Sequence, residues 1–85
     1  MAAAKKEQVR SKTLAVLDAL GLAYKVKHSQ AKLKVWDSLS IELAGDYAGF
    51  WTRWSRNVKG RNHIDLVNYM VQEGLVSQED AQRVL

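Results

Sequence analysis

The chain has 85 residues, with three tryptophans, no cysteine, no proline and a formal net charge of +4. This length allows one small domain, since two would each fall below ~50 residues. The missing cysteines exclude a disulfide framework, a thiolate zinc site and a cysteine nucleophile. With 47% apolar and 26% charged residues, the composition is typical of a globular chain. We therefore predict a single domain over residues 1–85, with flexible residues 1–4.

The charge is unevenly distributed along the chain. Residues 1–36 carry a net charge of +6, residues 37–61 carry +1 and residues 62–85 carry −3. A basic front half favours a polyanionic partner such as nucleic acid, although an ordinary solvated basic surface gives the same pattern. No signal-peptide pattern is present, and no apolar run approaches the ~18 residues of a membrane span. We expect a cytoplasmic protein without membrane contact.

The first half of the chain changes from helical to strand periodicity. Apolar residues at steps of three and four, from Val9 to Leu20, predict a helix over residues 5–20 that Gly21 ends. Apolar and polar residues then alternate, which is the pattern of half-buried strands. The predicted strands are residues 24–28, 31–35, 39–43 and 49–54, with Ser29-Gln30 joining the first two and Gly45-Asp46 turning before the last.

The second half ends in two predicted helices. Residues 55–61 form a predicted loop, after which Asn62 caps a helix that Gly74 ends. Ser77 caps a last short helix with acidic residues in its first turn. The order predicts an α+β fold, with an N-terminal helix, an antiparallel meander of three to four strands and two C-terminal helices packed with the first against one sheet face.

Catalysis is not expected from this sequence. His28 and His63 lie 35 residues apart in different elements, and no spacing indicates a metal site. The serines lack a nucleophile-elbow motif, and Lys59-Gly60 lacks the other residues of a phosphate loop. We predict a protein that is not an enzyme and uses neither metal nor cofactor.

Two basic clusters are candidate nucleic-acid contacts. In the first, alternation places Lys25, Lys27, Lys32 and Lys34 on one side of two paired strands, where phosphates could bind them. An equally open interpretation is that these lysines form the solvated face of an amphipathic sheet. The second cluster interleaves aromatic and basic side chains, as in single-strand binders, and contains Trp51, Arg53, Trp54, Arg56, Lys59 and Arg61.

The second cluster carries further expectations. Alternation allows one of Trp51 and Trp54 to enter the core, together with Phe50 and Ile64, while the other tryptophan stays available. We expect Gly60 to adopt a backbone conformation that disfavours a β-carbon. The helix start at Asn62 either anchors a phosphate among the neighbouring basic residues or is simply a capped end.

Three short motifs resemble a known family. They are Gly-Phe-Trp-Thr-Arg-Trp-Ser at residues 49–55, Lys-Gly-Arg-Asn-His-Ile-Asp-Leu-Val at 59–67 and Glu-Asp-Ala-Gln-Arg-Val-Leu at 79–85. In this order they resemble the zinc-ribbon-like N-terminal domain of bacterial and phage DNA primases. They are most similar to its zinc-less relatives in plasmid primase-like and mobilisation proteins. The chain departs from the family in lacking the zinc-binding cysteines and in having Arg61-Asn62 where Gly-Asp is usual.

The resemblance implies contact with template DNA and no polymerising site. We therefore expect a nucleic-acid-binding module, for single-stranded or template DNA more than RNA, in a phage or plasmid replication or transfer protein. A larger replication or transfer protein is a possible partner. The alternative is a small protein-interaction module that docks on a host protein through its acidic C-terminal helices.

Overall fold

The computed structural model describes residues 2–36 and 38–85, with side chains from residue 9 onward, and has an α+β fold. The elements in chain order are α1 (Ala2–Ala19), β1 (Tyr24–Lys27), β2 (Gln30–Leu33), β3 (Leu39–Glu42), β4 (Trp51–Arg53), β5 (Val58–Gly60), α2 (His63–Gln72) and α3 (Gln78–Val84). The predicted architecture is confirmed, with five strands instead of three to four. The helices among the described residues lack the combination of length and hydrophobicity that a membrane-spanning segment needs. The flexibility expected for residues 1–4 stays a prediction.

The five strands form one antiparallel sheet in the order β1-β2-β3-β4-β5. In the first hairpin, Lys27 pairs with Gln30, so the turn is His28-Ser29 and not Ser29-Gln30 as predicted. His28 has a φ of 57°, a left-handed conformation typical of turns. It therefore ends the strand that was predicted to include it.

Strand β5 lies inside the predicted loop 55–61. Arg53 pairs with Val58 and Trp51 with Gly60, which leaves a tight turn over residues 54–57. Asn57 completes this turn with a φ of 55°. Three residues that include a lysine and a glycine give no periodic strand signal. The strand forms because its backbone pairs with that of β4 and because Gly60 leaves space for the Trp51 ring.

The helices and one face of the sheet, here called the inner face, enclose a single hydrophobic core. Its fully buried side chains include Leu17, Leu33, Leu39, Ile41, Leu43, Leu66 and Met70. The prediction that Phe50 and Ile64 belong to this core is wrong, since both are exposed. Phe50 is adjacent to the inward-facing Trp51 and so points to the opposite side of the sheet. Helix α2 instead buries Leu66, Val67 and Met70.

The predicted starts of α2 and α3 and the predicted glycine stops after α1 and α2 are confirmed, whereas α1 begins at Ala2 and not at residue 5 as predicted. The Asn62 side chain accepts a hydrogen bond from the Asp65 backbone N–H, and the Ser77 side chain accepts one from the Asp80 N–H. Gly21 and Gly74 have φ values of 71° and 80°, and each lies two residues after the last residue of a helix. These contacts satisfy backbone groups that a helix terminus leaves unpaired.

Gly60 is required for a reason other than the predicted one. It does not have a positive φ, unlike the other glycines of the chain. A β-carbon at this position would lie 2.4–2.5 Å from three atoms of the Trp51 indole, Cε2, Cζ2 and Nε1. The same indole nitrogen donates a hydrogen bond of 3.1 Å to the Asn62 carbonyl oxygen. Gly60 therefore provides the space that the ring occupies.

We expect Gly60→Ala to lower the free energy of unfolding by about 1–3 kcal/mol, because the new methyl group overpacks the ring. Chemical denaturation measures the free energy of unfolding of three variants: Gly60→Ala, Trp51→Phe and the two substitutions combined. Phenylalanine lacks the nitrogen and the second ring that face Gly60, so the glycine substitution should cost less in that background. Equal costs in both backgrounds would contradict a steric origin.

Candidate nucleic-acid interface

The sheet face opposite the core, here called the outer face, is polar and rich in lysine. Alternation and strand register place on it Lys25, Lys27, Gln30, Lys32, Ser40, Glu42, Thr52 and Lys59. Five of these form one transverse row across the strands, in the order Lys25, Lys32, Ser40, Thr52 and Lys59. With strands ~4.8 Å apart, the row spans ~19 Å.

The lysines of the first predicted cluster lie together on this side of the protein. Lys25, Lys27 and Lys32 are exposed on the outer face, and Lys34 is exposed one residue beyond β2. Its backbone N–H donates to the Ala23 carbonyl, which continues the β1–β2 ladder. The described strand residues of the outer face contain four lysines, namely Lys25, Lys27, Lys32 and Lys59, and one glutamate, Glu42. The formal charge of this face is therefore +3.

The two tryptophans of the second cluster point to opposite faces, as predicted, and the structure identifies the core residue. Trp51 is 3% exposed on the inner face, and Trp54 is 70% exposed. The Trp54 indole N–H donates a 3.2 Å hydrogen bond to the Ser40 hydroxyl oxygen, which holds its ring over the outer face. The ring therefore has its polar atom satisfied and its π-surface open to solvent.

A second exposed aromatic group lies beside this face and was missed from the sequence. Phe50 and Tyr47 are both exposed and form an edge-to-face pair with centroids 5.4 Å apart. Phe50 lies on the same side of β4 as Thr52 and Trp54, because side chains alternate along a strand. The signal was present in the sequence: once Trp51 is inward, its neighbour Phe50 must be outward.

The Arg53 side chain is mostly buried and stabilises the fold, and it is not part of the exposed surface. Its guanidinium lies 3.8 Å from the centroid of the Trp36 ring and donates hydrogen bonds to the Tyr69 hydroxyl at 3.1 Å and the Glu73 carboxylate at 3.3 Å. Its side chain is 11% exposed. The burial of Arg53 and Trp51 does not agree with the prediction that they contact nucleic acid. Trp36 was missed because it lies outside any strand, where alternation gives no guidance.

The remaining predicted contacts lie around β5. Arg56 is exposed in the turn before it, Lys59 is exposed on its outer face and Arg61 is exposed directly after it. The Arg61 backbone N–H donates to the Asp65 carboxylate at 3.2 Å, and the Asp65 N–H donates to the Asn62 side chain at 2.9 Å. A phosphate at this helix start would meet the Asp65 carboxylate, so the geometry favours the capped-end interpretation.

The two histidines lie in separate elements, His28 in the β1–β2 turn and His63 at the start of α2. Partial burial, and secondarily the nearby Lys12, lower the pKa of His63. Among residues 2–36 and 38–85, no group of three or more histidine, cysteine, aspartate or glutamate side chains is placed to hold a metal ion.

Comparisons of the chain with family models, curated proteins and solved structures give no match. The similarity to primase N-terminal domains therefore stays a prediction that depends on the three short motifs.

The two tryptophans should respond differently to truncation. Trp51→Ala removes a buried ring and is expected to cost about 3–5 kcal/mol, most of the stability of a domain this small. Trp54→Ala removes an exposed ring and should leave the melting temperature within a few degrees of the parent. Thermal unfolding, monitored by circular dichroism, compares the stability of the two variants. Two variants of equal stability would show that Trp51 is not the core residue.

Proposed function

We propose that this protein is a nucleic-acid-binding module that holds a single strand, DNA in preference to RNA, on its outer face without catalysis of its own. The observation that carries the proposal is one exposed sheet face that combines aromatic rings with several lysines. The hypothesis of a role in phage or plasmid replication or transfer, in the cytoplasm and beside a larger replication protein, follows from the motif resemblance alone.

The aromatic side chains supply stacking surfaces. Trp54 and Phe50 flank Thr52 on the same side of β4, four positions apart, which is a separation of ~13 Å along an extended strand. Stacking of a base on an aromatic side chain contributes about 1–3 kcal/mol and tolerates any base, because every base has a π-face. This arrangement suits unpaired bases, since the faces of bases inside a duplex are already stacked on each other.

The lysines supply contacts to the sugar-phosphate backbone. Lys25 and Lys32 lie at one end of the transverse row and Lys59 at the other, so the aromatic strand β4 has ammonium groups on both sides. A bound strand could then place bases on the rings and phosphates near the lysines. Each neutralised phosphate releases counterions and makes binding dependent on salt.

The alternative, a protein-interaction module, has one observation in its favour. An open groove of about 510 Å³ lies between α1 and α3 and is lined by Lys12, Ala15, Val16, Ala19, Arg83 and Val84. The groove is on the helical side of the protein, away from the outer face. A helical partner would perturb residues 77–85, whereas a nucleic-acid strand would perturb the sheet.

Fluorescence anisotropy with single-stranded and duplex DNA at two salt concentrations tests the proposal. We expect the single strand to bind more tightly, with affinity that falls as salt rises. Lys25→Gln combined with Lys32→Gln should weaken binding of all sequences alike and reduce the salt slope by about 1.4, at ~0.7 per phosphate contact of a single strand. Arg10→Gln combined with Lys12→Gln, both exposed on α1, is the control for the same change in net charge.

Two results would contradict the outer face as the binding surface. One is an unchanged salt slope in the folded double variant. The other is the absence of DNA binding at micromolar protein. If a cell extract then shifts only the amide signals of residues 77–85, the protein-interaction module is favoured.

Ser40 should act as a positioning residue for the Trp54 ring. Ser40→Ala removes the acceptor of the indole N–H, so we expect affinity for single-stranded DNA to fall about two- to fivefold, as for one neutral hydrogen bond. Ser40→Thr keeps a hydroxyl and should restore binding. Ser38→Ala is the matched control, because it removes only the contact with the Ser55 hydroxyl at 2.8 Å. A loss of affinity that is equal in the Ser38 and Ser40 variants would contradict this role.

A further inference from the structure

A cavity of about 470 Å³ lies on the outer face of the β1–β2 hairpin, at one edge of the sheet. It is lined by Lys25, Lys27, His28, Ser29, Gln30 and Lys32. It is distinct from the exposed aromatic side chains, which lie directly before and after β4. Three of its six lining residues are lysines, and none of the six is acidic.

These lysines are held close together by the strand register. Lys25 lies directly opposite Lys32, and Lys27 is next to this pair on the same face. Side chains directly opposite each other in an antiparallel pair have β-carbons only ~5 Å apart, so like charges there destabilise the sheet. The nearest carboxylate along the strands, that of Glu42, accepts a 2.6 Å hydrogen bond from the Gln30 amide. The arrangement costs stability in the free protein and would be relieved by a bound anion.

The cavity offers donors suited to a group with several oxygens. Each lysine ammonium has three N–H donors, and the Ser29 hydroxyl and the His28 ring add further donors at the turn. A phosphodiester inside a strand carries one negative charge, whereas a terminal phosphate carries nearly two and has three strong acceptor oxygens. Three adjacent cations in a concave surface therefore match a terminal phosphate better than a bridging one.

The position of the cavity connects it to the aromatic strand. Strand β1 is an edge strand, three strand spacings from β4, which corresponds to ~14 Å across the outer face. A strand whose bases stack on Trp54 and Phe50 can therefore reach the hairpin with its end. We propose that this cavity binds a phosphate monoester, the terminal phosphate of the nucleic-acid strand. This inference rests on the proposed function and adds recognition of a strand end to it.

Competition binding tests the inference. A fluorescent strand of about ten nucleotides, a length within the range for single-strand-binding domains, is displaced by unlabelled strands of the same sequence. The competitors carry a 5′-phosphate, a 3′-phosphate or hydroxyl groups at both ends, and a free nucleoside monophosphate is a fourth competitor. We expect one phosphorylated strand to compete about fivefold better than the hydroxyl form, because it adds charge-assisted hydrogen bonds.

Matched variants separate the cavity from general electrostatics. Lys25→Gln with Lys32→Gln should abolish the preference for the phosphorylated strand. Lys34→Gln with Lys59→Gln makes the same change in net charge outside the cavity and should weaken all strands without changing the ratio. The first pair also removes the lysine repulsion, so its melting temperature should be no lower than that of the parent.

The outcomes distinguish this inference from the proposed function. Equal competition by all three strands, with binding intact, overturns the terminal-phosphate site and leaves the single-strand function standing. A ratio that survives in the Lys25/Lys32 variant also overturns it. If the free monophosphate competes as well as the phosphorylated strand, the cavity is a nucleotide site and the connection to a strand end is wrong. No binding of any strand overturns both proposals.

Discussion

The packing of the Trp51 indole is the contact on which the rest of the fold depends. The ring stacks on Tyr69 with centroids 5.4 Å apart, occupies the space beside Gly60 and donates its N–H to the Asn62 carbonyl. One side chain therefore joins β4 to β5, to the start of α2 and to the body of that helix. Because side chains alternate, the inward direction of Trp51 also sends its neighbour Phe50 outward. The aromatic character of the outer face is thus a consequence of how the core is packed.

The same alternation divides the cationic side chains between two roles. Arg53 shares the inner side of β4 with Trp51, where its guanidinium contacts the Trp36 ring and its Nη1 donates to the Tyr69 hydroxyl and the Glu73 carboxylate. A cation that is nine-tenths covered is tolerated only when such partners replace its hydration. The lysines of the outer face remain hydrated and point away from the core. One position along a strand decides whether a positive charge stabilises the fold or is available to an anion.

Local patterns in the sequence were enough to predict the fold class, the capped helix ends and the first four strands. The caps at Asn62 and Ser77 act within one helical turn, so sequence spacing reveals them. The incorrect predictions concern features that depend on residues distant in the sequence. Strand β5 depends on a ladder supplied by β4, and the need for Gly60 comes from a ring nine residues earlier in the chain. Arg53 belonged to a basic cluster in sequence, and its burial depends on Trp36 and α2, which no short motif could bring together.

The meander also determines how the chain can fold. Every pair of neighbouring strands is consecutive in sequence, and the outer hairpins close with turns at residues 28–29 and 54–57. Short loops of this kind close quickly and lose little chain entropy, so the hairpins can form before the rest of the protein. The slower step is to bring α1 from one end of the chain against α2 from the other. A transition state with a formed sheet and an undocked α1 is therefore expected, and mutations in α1 should speed unfolding more than they slow folding.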